Sequence, residues 1–486
     1  MKARRIQVRY HDQIVGQLAT NGVDTLFEYD PLWLKNGHDL APLTMKRRSG
    51  LVKGDPDFDC LPPLLAGSLP DGYGKRIMTQ WFQKTLGTTH AITPVEMLAY
   101  VGETGMGALT YHPVANTFPE KIFRPLDLRS QQKLSRAIES PGTPDEKFLE
   151  AARRAAHTVG GMYPKILCAE DVATGRLYED DPRVGRGFRR WIVKFPRDNS
   201  PFCNEIEYLL NRLAIRAGIS VPDAKLISAK DEKGREARHF AIERFDCTDD
   251  ERIHVSSLAV ITGHPASGLD IDYRDFFNAT LELTRDVSEV EEAYRRMVFN
   301  VAVYNTDDHA KNHSFIYRKG EWTLSPAFDV TFRPGTPGQE TIRAMPILAM
   351  SSAIPISQII KAGEIAGIGR PGKIAAEVLA TVEAVAEIAQ TLPLDSKLLR
   401  PVIEQIQSHA GDLRPPRRSP SKRLFDKAFP SGTKEVSGQR PMVAVRSAMP
   451  PGSSLPPVPH PRDRKRSGKP IDQAGDKKRK PGGKSD

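Results

Sequence analysis

A two-lobed α+β fold, strands first and helices second, is what this 486-residue sequence predicts. Three observations support it. Residues 151–257 carry short β-type runs around one helix-patterned segment, and from about Leu258 the chain turns predominantly helical. Early in that helical part stand N-T-D-D-H-A-K-N-H-S-F, Asn305 to Phe315, and S-P-A-F-D, Ser325 to Asp329, whose acids and amides suit a cleft better than a core. Hydrophobic residues at 39% and charged residues at 27% describe an ordinary globular chain, long enough for two or three domains.

Residues 1–115 read as a small β-rich amino-terminal subdomain. R-I-Q-V-R-Y alternates, H-D-Q turns, I-V-G-Q-L-A returns and L-F-E-Y-D follows. Leu61 to Leu86 is a Pro- and Gly-punctuated turn entering a helix. The three glycines of V-G-E-T-G-M-G-A-L-T-Y-H-P, Val101 to Pro113, lack G-x-G-x-x-G spacing and read as a tight turn before a strand. Residues 116–150 form a linker or helical connection, with a helix start in S-P-G-T-P-D-E.

In the strand-rich region 151–257, H-T-V-G-G-M-Y-P-K-I-L-C gives a turn and a strand, and R-R-W-I-V-K-F-P another. N-E-I-E-Y-L-L-N-R-L-A-I-R-A-G-I has apolar residues at helical spacing and closes on Gly218, which suits a C-cap. V-P-D-A-K-L-I-S and R-H-F-A-I-E-R-F-D are strands. Residues 258–413 form the helical lobe, where Lys373 to Gln390 reads as one long Ala-rich amphipathic helix with an ordinary core face.

The net charge of +10 belongs to the tail. From Gly411 onward, 19 Lys and Arg stand against 7 Asp and Glu, which leaves residues 1–410 at about −2. The tail also holds 13 of the 39 prolines and almost nothing to bury, so residues 414–486 are expected to be disordered. Basicity is therefore poor evidence for a nucleic-acid-binding fold, and K-K-R-K offers weak electrostatic contact with DNA or RNA. No apolar run approaches the roughly 20 residues that span a bilayer, and the basic start lacks an apolar signal region. Cys60, Cys168, Cys203 and Cys247 are scattered without a C-x-x-C and read as reduced, buried small hydrophobes of a cytoplasmic protein.

Asp307 lies five residues before Asn312, and Asp329 seventeen after it. Phosphoryl transfer from ATP needs a carboxylate to orient the attacking hydroxyl, with an amide and a second carboxylate to hold Mg²⁺ on the phosphates. The five-residue gap is that of the kinase loop H-R-D-L-x-x-x-N; Asp308, four residues from Asn312, does not fit it. A solvated acidic turn is the plain alternative. Zinc is another, since His309 and His313 are four apart, but no Glu follows the first His and no Cys is near. A surface role is expected for His313. In the strand region, Lys194 of W-I-V-K-F-P ends an apolar strand as the V-A-I-K lysine does, with Glu205 or Glu207 on the next helix as its partner. Gly160 and Gly161 of T-V-G-G-M-Y-P-K could present backbone N–H groups to phosphates.

These residues resemble a known family, the HipA-type toxin kinases of bacterial toxin–antitoxin modules, over about residues 3–400. The likeness rests on V-R-Y-H-D-Q-I-V-G-Q-L with L-F-E-Y-D-P-L-W-L, then G-G-M-Y-P-K, I-V-K-F-P, N-E-I-E-Y-L-L-N-R-L-A-I-R-A-G-I-S-V-P, I-E-R-F-D, N-T-D-D-H-A-K-N-H-S-F and S-P-A-F-D-V in order. The resemblance implies a bilobal, protein-kinase-like serine/threonine kinase using ATP and Mg²⁺. Asp307 would be the catalytic base, Asn312 and Asp329 the metal ligands, and Lys194 a phosphate contact, with His309 and Lys311 lining the site. Gly160, Gly161, Met162, Tyr163, Pro164 and Lys165 would form the phosphate loop. Glu243, Arg244 and Phe245 of I-E-R-F-D would lie at the adenine end, Glu243 and Phe245 holding the base. Thr158 stands where family members autophosphorylate a serine and silence themselves. Cys247 replaces a usual Arg, and the basic tail is not a shared feature. The resemblance further implies a growth-arresting toxin acting on a translation component such as an aminoacyl-tRNA synthetase, with a HipB-like helix-turn-helix antitoxin carrying it to operator DNA. The alternative is a pseudokinase or corepressor acting only through that antitoxin.

Overall fold

Alternation of apolar and polar side chains builds the first sheet. The computed structural model describes residues 4–22, 24–87, 91–113, 124–139, 149–153, 160–181, 183–197, 200, 202–249, 251–265, 271–335 and 340–414. Two units divide the chain, Met1–Arg417 and Arg418–Asp486, and every described residue lies in the first. Residues 415–486 of the tail expected to be disordered and the S-P-G-T-P-D-E helix start lie outside the described residues.

Strands β1 (Arg5–Tyr10), β2 (Gln13–Thr20), β3 (Thr25–Tyr29), β4 (Leu51–Lys53) and β5 (Leu109–His112) form one antiparallel sheet in the order β4-β3-β2-β1-β5. Its inward residues Ile6, Val8, Leu18, Phe27 and Tyr111 pack with Trp33 and Leu98. These come from helices α1 (Pro31–Asn36) and α4 (Pro94–Val101). Each such burial contributes about 1.5–3 kcal/mol. Asp30 caps α1 through Leu32 N–H at 2.8 Å, and a Thr93–Glu96 capping box starts α4. The same core includes Val260, and Thr44 Oγ1 donates to Val260 O at 2.9 Å, so the subdomain is seated on the helical lobe. Short α2 (Pro63–Ala66) and the longer α3 (Gly72–Leu86) complete it.

The second antiparallel sheet runs β7-β6-β8-β10-β9. Its strands are β6 (Lys165–Asp171), β7 (Leu177–Glu179), β8 (Phe188–Lys194), β9 (Ala224–Lys230) and β10 (Glu236–Glu243). Trp191 and Val193 of β8 face back, against Tyr73 and Ile77 of α3 and Leu128, Leu134 and Ile138 of α5 (Leu128–Glu139). Strand periodicity then sends Ile192 and Lys194 to the other face. There Ile192 packs with Phe240, Ile242 and Tyr208, the last from α6 (Cys203–Arg216). Helix α6 ends as its sequence indicates: Gly218 takes φ +78°, and Ile219 N–H reaches back to Ala214 O at 3.0 Å.

The helical lobe comprises α7 (Leu258–Thr262), α8 (Tyr273–Thr284), α9 (Val287–Ala302), α10 (Ile356–Ile365), α11 (Pro371–Glu383), α12 (Val385–Gln390) and α13 (Ser396–Asp412). They surround a core that includes Phe276, Tyr294, Met297, Phe299, Ile359, Val378 and Ile406. Among the described residues, no helix is long and apolar enough to cross a membrane.

Three sequence expectations differ from the structure. Of the four cysteines expected to be buried, Cys168 is, whereas Cys60 is exposed and Cys203 and Cys247 are partly so. The single helix over Lys373–Gln390 is broken at Ala384, whose N–H bonds Thr381 O at 3.2 Å, one residue short of its helical partner. The cause is an intruding side chain: Gln407 Nε2 of α13 donates to Glu383 O at 2.7 Å. The predominantly helical lobe also contains strands β12 (Ser314–Arg318) and β13 (Glu321–Leu324), which form a sheet with β11 (His254–Ser257) from the end of the strand-rich region. Lys319 and Gly320, at φ +52° and +91°, make the tight turn between β12 and β13.

Buried histidines make this fold sensitive to mild acid. Desolvation pushes His239, His254 and His313 down to about 4 from the ordinary 6.5. A histidine with a depressed folded pKa binds fewer protons folded than unfolded between those values, so stability falls as pH drops from about 6.5 toward 4. We expect a loss of roughly 2 kcal/mol per histidine by pH 5, read as a lower urea midpoint at pH 5 than at pH 7.

Candidate active site

Register places two lysines side by side: Lys165 opens β6 directly opposite Lys194 at the end of β8. The Lys194 ammonium is in ion-pair contact with both Glu207 Oε1 and Asp329 Oδ1. Sequence left Glu205 and Glu207 open, and the structure selects Glu207. Two residues apart on α6 they cannot share a face. Glu205, half-buried, is raised by desolvation. Asn204 Nδ2 pins the start of α6 to both strands, donating to Lys194 O at 3.2 Å and Arg238 O at 2.8 Å. Burial pulls the Lys194 ammonium down, but Asp329 and Glu207 outweigh it and the net shift is upward. Burial likewise opposes Asp329 ionisation, and Lys194 with Lys165 overcomes it, holding that carboxyl far below its usual range. Lys165 is lowered by burial and by its neighbour Lys194.

The loop between α9 and β12 carries Asp307 and Asp308 in opposite directions. Asp307 has a side chain 37% exposed, with Oδ2 2.7 Å from Arg333 Nη1. Its N–H takes Asn305 Oδ1 at 3.3 Å, and its carbonyl accepts from Asn312 Nδ2 at 2.9 Å. With the Asn312 nitrogen so used, Oδ1 is the atom it can offer a cation. Asp308 is buried and accepts from Tyr273 OH at 2.5 Å and from Arg343 Nη2. Asn300 Nδ2 donates to Tyr273 OH at 3.1 Å, and Arg343 Nη2 to Asn305 O at 3.3 Å. Asp308, Tyr273 and Arg343 thus anchor the loop from beneath, and the sequence reading missed the last two. Asp329 sits at φ +56°, the left-handed region that Asp tolerates better than most residues.

His309 lies near enough to Asp329 to help depress it, and its Nδ1 is buried without a hydrogen-bond partner. His313 is not a surface residue as expected: it is 4% exposed, its ring 4.4 Å from that of Phe276, because the loop turns inward to start β12. Among the described residues no group of three or more His, Cys, Asp or Glu side chains is placed to hold a metal ion.

Gly161, at φ +90°, leaves room that the Lys165 amine fills. Met162 and Tyr163 are exposed, and Arg197 lies 3.8 Å over the Tyr163 ring. Pro164 O accepts from Phe195 N–H at 3.2 Å. Thr158 lies outside the described residues.

Residues 6–112 match the HipA N-terminal domain, and residues 157–391 the HipA-like C-terminal domain. The chain belongs to the HipA family. A Sinorhizobium fredii protein named "Putative kinase Y4mE" is 25% identical over 446 residues, covering 85% of this chain and 99% of that one. The serine/threonine-protein kinase toxin HipA of Shewanella oneidensis is 21% identical over 353 residues, 68% of this chain and 75% of its own. The Shewanella oneidensis MR-1 HipA, HipB and operator DNA complex matches with a TM-score of 0.62 at 18% identity, covering 83% of this chain and 96% of that chain. At that identity the likeness is one of fold.

In this HipA-family chain the end of β10 and the segment after it divide their side chains. Phe245 packs on Phe328, beside Asp329, with ring centroids 5.6 Å apart. Glu243 is held by Arg189 at 2.6 Å, its N–H donating to Asp223 O at 2.8 Å. Arg244 is buried between Asp180 at 2.6 Å and Asp246 at 2.8 Å and its N–H donates to Arg190 O at 2.9 Å, so both its guanidinium and its N–H are spent on anchoring the segment. Burial alone would lift the Asp246 carboxyl, but Arg244 beside it holds it at about 2. Asp246 also accepts Gly107 N–H at 2.8 Å, tying the segment to the amino-terminal subdomain.

Proposed function

We propose that this chain is a serine/threonine protein kinase using ATP and Mg²⁺, the toxin component of a toxin–antitoxin pair. The observation that carries the reading is Lys194 bridging Glu207 and Asp329 while Asn312 is locked onto the loop of Asp307. An Asp and an Asn with phosphate oxygens and water suit Mg²⁺, which seldom relies on an all-protein cage. Bound there by Asn312 and Asp329, the ion would neutralise phosphate charge. Lys194 would bind phosphate oxygens, its position set by Glu207. The Asp307 carboxylate would orient the acceptor hydroxyl and take its proton. Gly160 to Lys165 would lie along the phosphates, with Lys311 and His309 at their far end, and Glu243 and Phe245 would meet the adenine.

The toxin reading is supported by the Shewanella relative's name, and a HipB-like partner with operator DNA by the solved complex. A translation component such as an aminoacyl-tRNA synthetase is the substrate class we propose, and Thr158 the self-modification site. The test is incubation with ATP labelled at the γ-phosphate. Label should appear on serine or threonine of protein and vanish with EDTA. Absence of label from every protein, this chain included, in a lysate supplemented with Mg²⁺ would refute the kinase reading.

A further inference from the structure

The geometry points to Asp71, in the amino-terminal subdomain, as the positioning residue that holds the glycine loop in its nucleotide-receiving form; we infer this on top of the kinase reading. Asp71 occupies the N-cap position of the 15-residue helix α3 with extended backbone, φ −116° and ψ 179°. An Asp there ordinarily accepts an N–H from its own helix. Asp71 makes no such bond. Its Oδ1 instead accepts the N–H of Gly161, which is thereby engaged by Asp71 and not offered to phosphate as the sequence suggested, and its Oδ2 lies 3.5 Å from Lys311 Nζ. One carboxylate therefore joins the amino-terminal subdomain, the glycine loop and the loop of Asp307.

The fit is steric as well as polar. Tyr73 N–H donates to Gly161 O at 3.0 Å, and Arg76 Nη2 to Met162 O at 3.0 Å. Gly72 sits at φ +44°, and a Cβ there would come 2.6 Å from Met162 Cα and overlap the Gly161 carbonyl. A Cβ on Gly160 would stand 3.2 Å from Asp71 Oδ1. P-D-G-Y of one subdomain and G-G-M-Y of the other are thus complementary surfaces. On its far side Gly161 meets the Lys165 amine, so it is clasped between a carboxylate and an ammonium.

Two successive glycines have the most backbone freedom to lose. A loop left free would have to be ordered by the nucleotide itself, which weakens binding. Asp71 meets that cost before ATP arrives, so its loss should act on nucleotide affinity rather than on transfer.

The experiment compares wild type, Asp71→Ala, Asp71→Asn and Gly72→Ala. Asp71→Ala should raise KM for ATP about tenfold with kcat within about threefold, as loss of a hydrogen bond to a charged group does. Asp71→Asn keeps an acceptor for Gly161 and should restore most of the affinity. Gly72→Ala, which leaves the carboxylate in place, should raise KM similarly by pushing the loop away. In nucleotide-free protein, hydrogen exchange of peptides covering residues 160–165 should accelerate in Asp71→Ala. An unchanged or lowered KM for ATP in Asp71→Ala would overturn the inference, the carboxylate then being a bystander or a competitor of phosphate. Unchanged exchange at Gly161 would overturn it too. The exchange arm needs no catalysis, so a protein that transfers no phosphate fails the kinase reading without obscuring whether Asp71 holds the loop.

Discussion

Asp307→Asn should lower phosphoryl transfer by about 10³-fold, the middle of the range for loss of a positioned base, with ATP affinity changed only a few-fold. The substitution is close to isosteric and spares what the backbone does. The Asp307 carbonyl still accepts from Asn312 Nδ2, and the Asp307 N–H still reaches Asn305. Arg333 loses its ion-pair partner, but an exposed pair of this kind is worth about 0–1 kcal/mol. What disappears is the carboxylate proposed to take the hydroxyl proton. Initial rates of γ-phosphate transfer, with nucleotide affinity measured in parallel, check it. A variant retaining a tenth of wild-type rate would remove Asp307 from the role of base.

Arg343→Met should cost about 3–5 kcal/mol of stability, the penalty for stranding one member of a buried ion pair. Asp308 and Arg343 are 1% and 4% exposed, and water cannot replace the lost partner. Tyr273 OH remains on Asp308, which places the expected value toward the lower end of that range. Arg343 also holds Asn305 O, so transfer should fall even at temperatures where the variant is folded. A urea midpoint shift corresponding to less than about 1 kcal/mol would contradict this anchoring role.

The lobes and most strands were legible because alternation and helical spacing are local signals. Lys194, Asp307, Asn312 and Asp329 could be nominated because chemistry fixes both their types and their spacing. The pairing of Lys194 could not be settled by spacing, since Glu205 and Glu207 both follow it on one helix and only the face presented to the cleft decides. The β12–β13 hairpin carried a readable signal, β-type runs on either side of Lys319 and Gly320, and was overlooked among stronger helical patterns. The break at Ala384 had none, because its cause is Gln407, over twenty residues on. Arg244 and His313 looked like site or surface residues only because burial is a tertiary property. Asp71 was beyond reach for the same reason: its partners are Gly161 and Lys311.

Lys194, Asn312 and Asp329 are proposed to form one Mg²⁺–ATP site served by Asp307. Calorimetric titration of ATP with and without Mg²⁺ tests it most directly, in wild type, Asp307→Asn and Asp329→Asn. Mg²⁺ should tighten ATP binding about tenfold or more in wild type and in Asp307→Asn, worth at least about 1.4 kcal/mol, and should do nothing in Asp329→Asn. ATP that fails to bind wild type, or that binds Asp329→Asn with the same Mg²⁺ dependence, would contradict the account.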